Sequence, residues 1–208
     1  MRRSLILVSV VAVGLALLAT ACGGDGDQAA AEAAATAEPA STTGEVEFDQ
    51  AFIDAVVPHH RQAIEMAQAA KDAGLDEPEL VEIADAIITT QQTEIDQMLE
   101  WRKQWFGSEE LDPNAAEVLG VSMEDMGMAV DASTFATTED VNAHFANLMM
   151  DHHNGAIAMA EMALERASRP EIVDVAEQII EAQQQELQTM QPYATDMGDM
   201  DMSGDALP

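Results

Sequence analysis

Apolar residues recur along this chain at intervals of three and four, the spacing that lines one face of a helix. Ile83, Ile87 and Ile88 form one such row, and Val175, Ile179 and Ile180 form another. Strand-type alternation is absent, and helix formers such as Ala, Glu, Gln, Met and Leu dominate. The pattern predicts helices near 49–73, 77–106, 139–167 and 170–191, with a short one around Ala115–Leu119 in the connecting segment. Pro78 and Pro170 fall near helix starts, where a missing N–H costs nothing. Gly74 and Ser168 fall in the turns before them. Four amphipathic helices joined in this way make an all-α, four-helix bundle.

Aligning the chain with itself reveals a duplication. Phe52-Ile-Asp-Ala-Val-Val-Pro-His59-His60-Arg-Gln-Ala-Ile64-Glu-Met66-Ala67 is echoed by Phe145-Ala-Asn-Leu-Met-Met-Asp-His152-His153-Asn-Gly-Ala-Ile157-Ala-Met159-Ala160, at a constant offset (152 − 59 = 93). Downstream, Gln91-Gln92-Thr-Glu94 leads to Met98 as Gln183-Gln184-Gln-Glu186 leads to Met190, with an offset one shorter (190 − 98 = 92). The folded part, 48–192, is therefore two helix hairpins, 48–106 and 139–192, joined by a linker over 107–138.

The ends differ from this core. Arg2 and Arg3, a mainly apolar run from Leu5 to Leu18, and small residues before Cys22 have the order of a bacterial lipoprotein signal, with residues 1–21 removed and Cys22 lipidated. Residues 22–47 are too poor in large apolar side chains to bury a core and read as a tether. Residues 193–208 read as a flexible, Met- and Asp-rich tail. The expected location is the outer side of the cell membrane. With a single cysteine, no intrachain disulfide is available. The formal charge of −31, from 39 acidic and 8 basic residues, disfavours a nucleic-acid partner and draws cations to the surface.

Four of the five histidines occur as the two repeated His-His pairs. Adjacent histidines at matching positions have little packing rationale, whereas neutral imidazole is a common metal ligand. One histidine of each pair is expected to face inward and the other to lie near an interface. His59 and Met66, or His152 and Met159, share a helix face but stand about 10.5 Å apart along it, too far to hold one ion alone. Met149 with His152 or His153, Met150 with His153, and Met159 with Met162 have the three- or four-residue spacing that permits it. In an antiparallel hairpin His59 and His60 fall level with Gln91, Gln92 and Glu94, and His152 with Glu186. Met123, Met126 and Met128 in the linker, and Met197, Met200 and Met202 in the tail, share the spacing M-x-x-M-x-M among acidic residues and glycine, no evident place for core packing. Thioethers are soft ligands suited to Cu(I). No Glu-x-x-His, nucleophile constellation or phosphate loop is present, so the chain offers no visible seat for enzymatic chemistry.

The pattern Pro58-His59-His60-x-x-Ala63-Ile64-x-Met66-Ala67, repeated as Asp151-His152-His153-x-x-Ala156-Ile157-x-Met159-Ala160, resembles the family called domain of unknown function 305. The resemblance covers about residues 48 to 192. It implies a ferritin-like four-helix fold and export, with some members binding copper through Met and His. Carried onto this chain, it points to His59, His60, Met66, Met149, Met150, His152, His153 and Met159. Similar proteins often place Met before the first His pair, where this chain has Val56 and Val57, so the first half is expected to bind more weakly, or only in partnership with the second. The expected function is binding of Cu(I), with Ag(I) as a surrogate, for sequestration or transfer by a lipid-anchored protein; self-association as a homodimer is compatible with it. The alternatives are a ferritin-like metal oxidase and a helical module that binds a protein partner without metal.

Overall fold

A computed structural model describes residues 43–194, with side chains from residue 47 onward. The signal segment, Cys22, most of the tether and the methionines of the tail lie outside the described residues. Four long helices carry the fold: α1 (Thr43–Ala73), α2 (Pro78–Phe106), α4 (Val141–Arg166) and α5 (Pro170–Met190). The linker holds the expected short helix α3 (Ala115–Leu119) and a 3-10 turn over Ala132–Ala136. Among the described residues there is no strand, and no helix is long and apolar enough to cross a membrane.

The boundaries follow local chemistry. Helix α4 starts at Val141 rather than 139 because Asp140 caps it, its carboxylate accepting from the Ala143 N–H. Helix α2 ends at Gly107, whose φ of +81° is a left-handed cap that only glycine adopts freely. Helix α1 begins at Thr43, before the start expected near 49. Nothing in Glu45-Val46-Glu47 breaks a helix once it has nucleated.

Each repeat folds as a hairpin, α1 on α2 and α4 on α5, while α1 and α4 lie side by side at the centre. The central pair runs antiparallel. Arg166, at the end of α4, stacks over Phe48 near the start of α1, 4.4 Å from the ring centroid. The hairpins also clasp one another through repeat-equivalent residues. Asp49 accepts a hydrogen bond from the Ser168 N–H in the turn of the second hairpin, and Asn142 accepts from Asp76 and Glu77 N–H in the turn of the first. Arg102 of α2 donates to buried Asp54 of α1 at 2.7 Å.

Two apolar cores result. One gathers Phe52, Ile53, Val56, Ile95 and Met98 with Met159, Ala160, Ile172 and Ile179. The other gathers Met66, Leu80, Ile83 and Ile87 with Phe145, Met149 and Met190. Along all four helices the sequence that separates them is polar: His59-His60, Gln91 to Glu94, His152-His153 and Gln183 to Glu186. The duplication thus builds a polar layer between two greasy ones.

Candidate metal centre

All four paired histidines are buried, each at most 1% exposed. One histidine of each pair, His59 or His152, faces the centre, while the other, His60 or His153, lies where its own hairpin helices meet. The crossing of α1 and α4 is covered on both sides. On one side, α2 and α5 present carboxylates. His60 Nε2 bonds Glu94 Oε2 at 2.8 Å, and His153 Nε2 bonds Glu186 Oε2 at 2.6 Å. The level estimated from the turn thus holds for the first pair, and in the second Glu186 meets His153 where His152 was expected. On the other side lies the linker, and His59 Nε2 donates to the Met126 carbonyl at 2.8 Å.

These bonds fix the ring chemistry. A ring nitrogen facing a carboxylate or carbonyl must carry the proton, which leaves the lone pair of a neutral imidazole on Nδ1. The Nδ1 atoms of His59, His60 and His153 are buried without a hydrogen-bond partner. His152 has a partner at neither ring nitrogen. The rings of His59 and His152 meet at the centre of the bundle, with centroids 3.7 Å apart and planes 34° apart. Burial, then the nearby charge of His60, pushes the His59 pKa down to about 3. Burial, followed by His59 and His153, holds His152 well below the ordinary imidazole range. Both rings are thus neutral at pH 7.

Leaving a buried polar atom unpaired costs about 1–3 kcal/mol. The layer carries several such atoms, including the equivalent amide oxygens of Gln91 and Gln183. A fold selected only for stability would place leucine here. Imidazoles with one N–H anchored to oxygen and a bare lone pair on the other nitrogen are arranged as metal ligands are, with the outer partner setting tautomer and orientation. Among the described residues no three His, Cys, Asp or Glu side chains converge to hold an ion. Methionines lie in both apolar cores that border the layer, and imidazole with thioether is a donor combination suited to soft cations.

The methionines divide between the two faces of this layer. Met66 and Met149 lie fully buried in one core, with Met150 half-buried against it. Met159 lies fully buried in the other, where Met126 and half-buried Met128 join it. The linker therefore does have a place in core packing, contrary to its acidic, glycine-containing sequence: Met126 is 3% exposed, whereas Met123 is 52% exposed. The reason lies in two glycines. Gly127 has a φ of +67°, and a Cβ there would stand 2.6 Å from the Asp151 carbonyl oxygen. A Cβ on Gly155 would stand 2.2 Å from the Met126 oxygen. Backbone packs directly on backbone. Gly155 carried a signal that the sequence reading passed over, since its repeat equivalent is Gln62 (155 − 62 = 93). The fifth histidine, His144, stands apart, half-buried and bonded to Thr134.

A duplicated all-helical fold with a buried histidine layer defines the class of this protein. The chain belongs to the family described as domain of unknown function (DUF305), which matches residues 49–194. Among solved structures it is similar to CopM in the Cu(I)-bound form, with 32% identity and a TM-score of 0.59 over 70% of this chain and 94% of that one. CopM in an Ag-bound form matches with 31% identity, a TM-score of 0.59, and 70% and 93% coverage. A putative secreted DUF305 protein from Streptomyces coelicolor matches with 26% identity, a TM-score of 0.63, and 70% and 90% coverage. No curated protein matches the chain.

Proposed function

We propose that this protein binds Cu(I) through the buried histidine layer and the neighbouring methionines, holding or passing on the ion at the outer face of the membrane. One observation carries the reading: the His59 and His152 rings meet in the core with neutral, unpartnered lone pairs, a costly arrangement without a cation to receive them. The ligands we assign are His59, His60, His152 and His153, with thioethers from Met66, Met149, Met150 and Met159 and from the linker methionines Met123, Met126 and Met128. Similarity to CopM, solved with Cu(I) and with Ag, supports a soft ion. Lipidation at Cys22 would hold the domain at the membrane, and the net charge of −31 would enrich cations near it. Binding rather than turnover is the proposed role.

The test is a titration of the purified chain with Cu(I) against a chromophoric chelator under anaerobic conditions. Sub-micromolar binding of at least one ion is expected, and Ag(I) should compete with it. Micromolar or weaker binding would overturn the reading.

A further inference from the structure

The duplication makes α1 and α4 near equivalents, but only one linker crosses them, and the two helices differ at four pairs of positions. Gln62 on α1 grips the linker, its side-chain amide donating to the carbonyls of Met128 at 3.3 Å and Val130 at 3.1 Å. The equivalent position on α4 is Gly155, where the Met126 backbone takes the space of a side chain. His59 is tied to the Met126 carbonyl, while His152 is bound at neither nitrogen. Before the second pair stand Met149 and Met150, and before the first stand Val56 and Val57. The linker therefore lies as a strap over the imidazole pair, pinned on the α1 side and cleared on the α4 side.

Both rings beneath it are sealed from solvent, so an ion can reach them only if something moves. The strap is the cover that belongs to none of the four long helices, and three side-chain hydrogen bonds from His59 and Gln62 hold it to α1. It also runs from outside to inside within a few residues, from Met123, which is exposed, to Met126, which is buried beside the first apolar core. Thioethers exchange soft cations without proton transfer, because they need no deprotonation to bind.

Building on the Cu(I)-binding reading, we propose that residues 122–130 form the gate of the histidine pair, with Met126 as the ligand that carries a soft cation from Met123 at the surface to His59 and His152. When the strap lifts, the Met126 carbonyl leaves His59 and the backbone leaves Gly155. When it closes, the thioether and the ion go in together.

The test is stopped-flow transfer of Cu(I) from a coloured chelate to the full chain and to two variants, Gln62→Ala and Met126→Leu. Gln62→Ala removes the two bonds to the strap and should load about five- to thirtyfold faster, the effect of one to two neutral hydrogen bonds on opening, with the number of ions bound unchanged. Met126→Leu conserves side-chain volume and should retain the wild-type melting temperature to within a few degrees. It should load at least about tenfold more slowly, one ligand-exchange step having lost its sulfur. If all three proteins load at one rate, the gate is wrong while the binding reading stands. If the wild-type chain takes no Cu(I) from the chelate, both fall.

Discussion

His152→Leu is expected to move stability and Cu(I) affinity in opposite directions. In the metal-free protein the substitution removes two unpartnered ring nitrogens from a site that is 1% exposed and replaces them with apolar volume. Relief of that penalty should raise the unfolding free energy by about 1–2 kcal/mol, read as a higher urea midpoint at unchanged slope. Cu(I) affinity should fall by at least about a hundredfold, since even loss of a group that merely orients a ligand weakens metal sites ten- to a hundredfold. A histidine kept for packing would behave otherwise. Its replacement would lower stability and leave the metal titration unchanged, and that outcome would remove His152 from the site.

Gly155→Ala is expected to destabilise, although in an exposed helix interior the same change stabilises by about 1 kcal/mol. Here the new methyl would meet the carbonyl oxygen, carbonyl carbon and Cα of Met126, all within 2.6 Å, and backbone cannot swing aside as a side-chain tip can. The strap must leave, and burial of Met126 in the first apolar core goes with it. A loss of about 2–3 kcal/mol, the upper range for overpacking, should appear in chemical denaturation. His59 should lose its carbonyl partner at the same time. An unchanged or raised midpoint would mean that the strap is not docked on α4 as described.

Much of this arrangement was legible in the amino-acid sequence, and the reasons are physical. The hairpins and the starts of their second helices followed from helical periodicity and from Pro78 and Pro170, signals that act within a few residues. The duplication made the layer legible as well. Equal distances from a turn set His59 and His60 level with Glu94 and His152 level with Glu186; the His60–Glu94 contact is present, and Glu186 meets the adjacent His153 instead. What local patterns could not supply was the relation between the hairpins. The meeting of His59 with His152 depends on α1 and α4 crossing antiparallel, which a long linker leaves open. The strap was misread for a related reason. Met123-Glu-Asp-Met126-Gly-Met128 has the composition of a solvated segment, and the burial of Met126 depends on Gly127 together with Gly155, 28 residues further on (155 − 127 = 28). Only comparison of Gly155 with Gln62 in the other repeat could have suggested that something passes there.

The methionines show where chemistry and packing share one residue. Met66, Met149 and Met159 fill cores, as methionine at helical spacing usually does, yet each lies in the core that borders the imidazole layer. A soft cation entering that layer would find thioethers on both sides without the protein having to move water or a proton into its interior.

The most direct measurement is X-ray absorption at the copper edge of the Cu(I)-loaded chain, compared with the His59→Leu/His152→Leu variant. Both nitrogen and sulfur neighbours are expected in the wild-type spectrum, in a site of low coordination number, with the nitrogen contribution reduced in the variant. A wild-type spectrum containing only oxygen or nitrogen neighbours, or one unaltered by removal of both histidines, would contradict a site built from imidazole and thioether in the core of the bundle.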